Sequence, residues 1–379
     1  MKSDTRLFIV HFSPLELYPP AMNAVNYFAS VLAYKKIYVF TTSSAANLNY
    51  TPAGKNVRIV RLGCLKPGST LQKRLWIYTR FNLTVLLYLF FLRPLKVLYF
   101  ETISSFAPVL YKRFIRPSSR LFIHYHEYMT RIEYASGMKL IKLFHQAEKK
   151  VYPAAAWVSH TNQARMELFE KDIAPVRIVN KEIVPNYPPG AWKEQAAAAK
   201  KDNRQHAIKR LVYTGAVSLD TMYVADFAAW VISQDGQVIW DIYSLNIEPA
   251  AKDFILDLNS EYIQIKPGVY YYDLPALLSR YDAGVILYKG HILNWIYNVP
   301  NKLFEYHVCG LDVWFPKQMV TSLPFITTGT YPKIIALDFE NIRSVTCHTL
   351  LDREKLSFKQ VDFSYETALR SLGESLSKN

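Results

Sequence analysis

The feature that most constrains this 379-residue chain is a pattern that runs through it twice: short, β-rich apolar runs alternating with helical stretches. In the first half the runs are Leu7–Phe12, Ile37–Thr41, Val57–Leu62, Val97–Phe100, Leu121–Tyr125, Ala155–Ser159 and Val176–Val184. Helical patterns lie between them at Asn23–Ala33, Ile103–Phe114, Met138–Val151 and Gln163–Glu170. A break follows at Pro185-Asn-Tyr-Pro-Pro-Gly190, and then a polar Ala/Lys-rich segment over Lys193–Gln205 that reads as a linker or a surface helix. The alternation then restarts. Strands are expected at Arg210–Thr214, Val238–Tyr243, Ile263–Ile265, Ala283–Leu287, Val313–Phe315 and Ile334–Leu337. Helices are expected at Val224–Ser233, Pro249–Leu258, Leu274–Ser279 and Asn301–Cys309, with a terminal helix over Tyr365–Leu376. Parallel strands need a crossover between them, usually a helix, so this alternation predicts parallel sheets. The expected architecture is α/β: two doubly wound domains facing across a cleft, with ligands beyond the carboxyl ends of the strands. The expected boundaries are 1–190, a linker over 191–206, a second domain over 207–362 and a C-terminal helix over 363–379.

The length fits two domains of roughly 180 residues each. With 50% hydrophobic and 15% aromatic residues there is ample material for two cores. Cys64, Cys309 and Cys347 are odd in number and widely spaced, which argues against a disulfide framework or a zinc site and for a reducing compartment. The apolar run Leu7–Val10 is too short for the core of a signal peptide and reads as a first buried strand. The expected location is the cytoplasm.

Charge is unevenly spread. Residues 1–190 hold 26 Lys and Arg against 10 Asp and Glu, whereas the remaining residues hold 19 against 21. Charge confined to one domain points to an anionic partner there. Nucleic acid and anionic lipid are the two candidates. No zinc-finger spacing or aromatic RNA signature is present, so no nucleic-acid partner is expected. Basic residues instead flank apolar segments: Lys73-Arg-Leu-Trp-Ile-Tyr78, then Arg80, the run Phe81–Leu92 and Arg93, and also Lys139-Leu-Ile-Lys-Leu-Phe144. Cations beside aromatic side chains suit the headgroup boundary of a membrane. Phe81–Leu92 is 12 residues long. A spanning helix needs about 20, so this run is expected to be a core helix or one lying on the membrane.

The sharpest local signal is Asn298-Val-Pro-Asn-Lys-Leu-Phe-Glu-Tyr-His-Val-Cys-Gly-Leu-Asp-Val313. A helix starting near Pro300 places Asn301, Lys302 and Glu305 within roughly a 100° arc. Its free N–H groups and dipole suit phosphate, and a carboxylate one turn in suits a ribose diol. A capped amphipathic helix would carry the same pattern, so the context decides.

That context resembles glycosyltransferase family 4, a retaining family of the GT-B type, in its subgroup that builds bacterial surface polysaccharides. PNKLFEYHVCGLDV resembles the family's donor-site helix. Tyr281-Asp-Ala-Gly-Val-Ile-Leu-Tyr-Lys289 and Tyr272-Asp-Leu-Pro-Ala-Leu-Leu-Ser-Arg280 resemble the strand and helix before it, and Leu211-Val-Tyr-Thr-Gly215 the first strand of the nucleotide domain. In the first half, Leu121-Phe-Ile-His-Tyr-His-Glu127, Val158-Ser-His-Thr-Asn162 and Val184-Pro-Asn-Tyr-Pro188 resemble the family's strand ends and its domain-closing segment, in the family's order.

The resemblance implies two Rossmann-like domains, a nucleotide-sugar donor such as a UDP- or GDP-sugar, and a lipid-linked or membrane-bound glycan acceptor. It assigns Glu305 to the donor ribose, Lys289 and Lys302 to the diphosphate, Asn301 to the same oxygens, and Gly215 to close approach of the donor. His126 would contact the transferred sugar, and Glu127 would orient His126 or meet the acceptor. A polar pair on a loop would look the same. No cofactor is implied beyond the donor as substrate. No metal is expected, since lysines and a helix terminus replace it and His124 with His126 supplies no further ligands. The family's chemistry proceeds on one face of the sugar without an assigned enzyme nucleophile, so none is named here.

Three departures stand out. Tyr297 occupies the position of the family's first donor-site acid; no cation follows Gly215 closely; and Ser13-Pro-Leu-Glu-Leu-Tyr-Pro-Pro-Ala-Met-Asn23 replaces the family's Gly-Gly loop. A non-catalytic membrane-bound scaffold and a nucleotide-sugar epimerase of the same fold are the rival expectations.

Overall fold

The computed structural model describes residues 5–44, 50–66, 68–136, 139–199, 208–354 and 356–378. The chain divides into two compact units, 1–186 with 365–379 and 187–364. Within the first, the described residues form a wholly parallel sheet: β1 (Arg6–Val10), β2 (Lys36–Ser43), β3 (Val57–Cys64), β4 (Lys96–Phe100), β5 (Arg120–Tyr125), β6 (Trp157–His160) and β7 (Lys181–Ile183). Their spatial order is β3-β2-β1-β4-β5-β6-β7. The order reverses between β1 and β4, which is where a doubly wound sheet takes its ligands. The β1, β4 and β5 positions are buried apart from the first residue of β1 and of β5, so these strands read as continuous apolar runs.

The helices of this unit are α1 (Pro19–Val31), α2 (Leu71–Leu92), α3 (Phe106–Leu110, running into a wider turn over Tyr111–Ile115), α4 (Arg131–Ser136), α5 (Lys139–Lys149) and α6 (Gln163–Ile173). The expected helix over Ile103–Phe114 is therefore broken, and the expected strand over Val176–Val184 is reduced to Lys181–Ile183. Met138, the expected start of α5, lies outside the described residues. Helix α2 differs most from expectation. The Thr70 side chain caps it by accepting the Lys73 N–H, which starts the helix well before the apolar run. Ile77, Phe81, Val85 and Leu89, four residues apart, form its buried stripe against Val97, Tyr99 and Ile123 of the sheet. At 22 residues it is long and apolar enough to cross a membrane, although one face belongs to the core.

The second unit repeats the plan with β8 (Lys209–Thr214), β9 (Val238–Ser244), β10 (Ile263–Pro267), β11 (Ala283–Val285), β12 (Asp312–Pro316) and the edge strand Ile334–Leu337. Their order is β10-β9-β8-β11-β12 and then that edge strand, all parallel, with the reversal between β8 and β11. Its α-helices are α7 (Trp192–Ala199), α8 (Val224–Ser233), α9 (Pro249–Asp257), α10 (Leu274–Leu278), α11 (Leu293–Ile296), α12 (Asn301–Val308) and α13 (Cys347–Leu351). Aromatic side chains dominate the core, with Phe227 and Trp230 of α8 packed against Trp240, Trp314 and Phe339.

The segment read as a linker or a surface helix begins as a helix, α7, with Trp192 buried against Tyr271 at 4.7 Å between ring centroids. Residues 200–206 lie outside the described residues. The last two helical pieces, Tyr365–Ala368 and Arg370–Ser377, belong to the first unit. There the Leu376 carbonyl accepts from Tyr34 and from the Lys96 ammonium, both at 2.7 Å.

Candidate functional site

In the second unit the residues with donor-site character collect at the carboxyl end of β8 and the start of α12. Gly215, one residue beyond β8, has φ +128°, a region that favours glycine. A Cβ there would lie 2.9 Å from both Cε and Nζ of Lys302. The glycine therefore gives the lysine its place, and a cation arrives over the strand end from α12 although none follows Gly215 in sequence. The Lys302 ammonium donates to the Tyr288 hydroxyl at 3.1 Å and lies 5.5 Å from the Tyr213 ring centroid. Burial works against its charge, but the phenol oxygens of Tyr288, Tyr213 and Tyr306 with the Glu305 carboxyl outweigh it and keep the ammonium protonated.

Pro300 precedes α12 in an extended conformation (ψ 149°), and no side chain caps the helix. This leaves the first N–H groups and the positive end of the dipole beside Asn301 and Lys302. Glu305, one turn in, is 5% exposed. Among the described residues its carboxylate takes no hydrogen bond. Burial pushes it up to about 7, with Lys302 pulling the other way. Tyr306 anchors the helix: its hydroxyl accepts the Thr214 N–H at 3.0 Å, and its ring occupies the space that a side chain on Gly284 would fill. Lys289 is held elsewhere. Its ammonium donates to the Leu219 carbonyl at 3.3 Å and lies 5.9 Å from the Tyr223 ring, so the loop after β8 takes it up. Tyr297, in the place of the missing acid, is the C-cap residue of α11 and is half-buried.

In the first unit His126 and Glu127 follow β5. His126 is 6% exposed and its ring stacks on Phe100 at 5.1 Å. Its Nδ1 lies 3.2 Å from Asn186 Oδ1 and 3.1 Å from His124 Nε2, while Nε2 is buried without a partner among the described residues. Burial pushes it down to about 4, so the ring is neutral at physiological pH. Glu127 is exposed, and no hydrogen bond joins it to His126 among the described residues. This corrects the orienting role expected of Glu127: Asn186, from the Val184-Pro-Asn segment, and His124 hold the ring instead.

No family model matches the sequence, and no curated protein matches it either. Solved structures do. Anabaena HepE in complex with UDP-glucose superposes with a TM-score of 0.65 at 11% identity, covering 98% of this chain and 99% of that one. The lipopolysaccharide outer core galactosyltransferase WaaB gives 0.61 at 10% identity, covering 98% and 99%. A UDP-GlcNAc 2-epimerase from Neisseria meningitidis bound to UDP-GlcNAc gives 0.61 at 13% identity, covering 99% and 100%. The chain has the GT-B fold.

Within this GT-B chain several site residues escaped sequence reasoning. Tyr213, Tyr288 and Tyr306 surround Lys302, each inside a motif already singled out, but a tyrosine in a strand or helix reads as core. Around His126 the same holds for Glu101, Arg165 and His11. Glu101 follows β4 and accepts the backbone N–H of His126 at 2.7 Å and of Glu127 at 3.3 Å. Arg165 of α6 donates to the His126 carbonyl at 2.7 Å. His11, just beyond β1, has both ring nitrogens buried and unpartnered among the described residues. Their common signal is position: each but Arg165 lies at the carboxyl end of a strand beside the sheet's reversal.

Proposed function

We propose that this protein is a retaining GT-B glycosyltransferase resembling family 4. In this reading it moves a sugar from a UDP- or GDP-sugar to a lipid-linked or membrane-bound glycan acceptor in surface polysaccharide assembly. The observation that carries the reading is Lys302 lying over Gly215 beside the uncapped start of α12, with the Glu305 carboxyl one turn further in. A sugar diphosphate presents the complementary chemistry. Phosphate oxygens meet the Lys302 ammonium, the Asn301 side chain and the helix N–H groups, and ribose hydroxyls donate to Glu305. The cation stabilises the charge that develops as the nucleotide leaves, so this half of the chemistry is assigned to lysines rather than a metal. Lys289 contributes only if it exchanges the Leu219 carbonyl for the donor. The acceptor is assigned to the first unit, at the end of β5, where neutral His126 contacts sugar hydroxyls and exposed Glu127 meets the acceptor.

Membrane location is supported by α2, whose outward face carries Trp76 at 66% and Phe91 at 74% exposure, with Leu83 and Leu87 also open, beside Lys73, Arg74, Arg80 and Arg93. Such a face fits a helix lying in an anionic membrane surface, on the cytoplasmic side where nucleotide sugars are made available. A nucleotide-sugar epimerase is the second reading, favoured by the two neighbouring carboxyls Glu101 and Glu127 and needing neither acceptor nor membrane.

Incubating the protein with a panel of labelled nucleotide sugars and a membrane lipid extract separates these readings. Transfer gives label in the lipid phase, dependent on Glu305. An epimerase changes the donor sugar without any lipid, and a scaffold does neither. Either of the last two outcomes rejects the transferase.

A further inference from the structure

Glu101 has backbone dihedrals of φ +63° and ψ 150°, a conformation that residues other than glycine rarely hold unless their surroundings impose it. Four hydrogen bonds surround it. Its N–H donates to the His124 carbonyl at 3.2 Å, and its own carbonyl accepts the Ser104 N–H at 3.0 Å. Its Oε1 accepts the N–H groups of His126 and Glu127, the first two residues beyond β5. Strands β4 and β5 are neighbours in register, with Phe100 beside His124, so the strained residue reaches across from one strand end to the next. On the other side of the same short segment Arg165, buried and held by the Thr161 hydroxyl at 3.1 Å, donates to the His126 carbonyl. The Phe100 ring lies against the imidazole. The peptide groups flanking His126 are thus gripped at the amide by Glu101 and at the carbonyl by Arg165.

We infer that Glu101 is a positioning residue, which with Arg165 clamps the peptide carrying His126 and Glu127, and that its strained backbone is retained because it delivers the carboxyl to those two amides. Burial, reinforced by the nearby charge of Glu127, pushes the Glu101 carboxyl up to about 8. At neutral pH its oxygen therefore accepts much as the oxygen of a glutamine amide would, and charge is not what the clamp requires.

The kinetic part of the test rests on the transferase reading, and the structural part does not. Hydrogen exchange at the His126 and Glu127 amides and steady-state transfer are to be measured on the full chain for the natural protein, Glu101→Gln, Glu101→Ala and Glu101→Gly. Glycine relieves the strain while removing the carboxyl, so it carries the test if the alanine variant folds poorly. Glu101→Gln should keep both amides protected and retain kcat within about threefold, since geometry is preserved. Glu101→Ala and Glu101→Gly should exchange both amides at least about tenfold faster and lower kcat by about 10–100-fold, with nucleotide-sugar affinity unchanged. Protection that survives in Glu101→Gly overturns the clamp, and so does Glu101→Gln losing as much kcat as Glu101→Gly. A failure of the transferase reading looks different: the natural protein transfers no sugar while the exchange pattern stands.

Discussion

At the scale of single residues, Gly215 and Lys302 define each other. A methyl group on Gly215 collides with the lysine's end and forces a side chain to hold φ +128°. Gly215→Ala should therefore cost about 1–3 kcal/mol by thermal denaturation and weaken nucleotide-sugar binding by displacing the ammonium. Glu305 gives a pH signature. Its carboxyl is raised to about 7 by burial, so it holds a proton below that pH. Between the ordinary carboxylate range and pH 7 the folded chain binds this proton and the unfolded chain does not, so this group's contribution to stability falls as pH rises. The ionised form accepts ribose hydroxyls more strongly than the protonated one. Donor affinity by calorimetry should accordingly rise with pH up to about 7 and level off above, and Glu305→Gln should flatten the profile. The residues legible in the sequence were those with a chemical signature at a fixed spacing: Gly215, Asn301, Lys302 and Glu305. Tyr288 and Tyr306 were not, because a tyrosine serves a core equally well, and neither was Glu101, because a positive φ at a non-glycine leaves no trace in residue type.

At the scale of elements, the strands follow from apolar runs that need no periodicity to be seen, since parallel strands are covered on both faces. Helix α2 shows where that reading stops. Counting apolar residues started the segment at Phe81, whereas the helix begins at Leu71, where Thr70 caps it, and the exposed Lys73, Arg74 and Arg80 leave the stripe of Ile77, Phe81, Val85 and Leu89 intact. The two faces predict opposite behaviour. Phe81→Ala, fully buried, should cost about 3–5 kcal/mol in denaturant unfolding. Trp76→Ser combined with Phe91→Ser should stay within about 1 kcal/mol of the natural stability. The same double variant should lose sedimentation with phosphatidylserine-containing vesicles, and unchanged sedimentation would remove α2 from the membrane surface.

At the scale of the molecule, charge and ionisation are divided between the units. The first, with its C-terminal helices, carries 28 Lys and Arg against 12 Asp and Glu, and the second 17 against 19. The first unit also buries neutral histidines: His11 and His160 are pushed down to about 3 and His126 to about 4, each mainly by burial. In the unfolded chain they protonate near pH 6.5, so below that pH the unfolded state binds more protons and acidification favours unfolding. Glu101 acts in the opposite sense, as one group against these three and His124, which burial also pushes well down. The melting temperature of the first unit should fall as pH drops from 6.5 towards 4, and His11→Phe should reduce that slope. On the proposed reading, the start of α12 over Gly215 holds a sugar diphosphate. The direct test is calorimetric titration of the full-length protein and its Glu305→Ala variant with UDP-, GDP- and dTDP-sugars at pH 8. One of them should bind saturably, and the variant should bind it at least about tenfold more weakly through the loss of a charge-assisted hydrogen bond. Binding of none, or equal binding by both proteins, would contradict that reading.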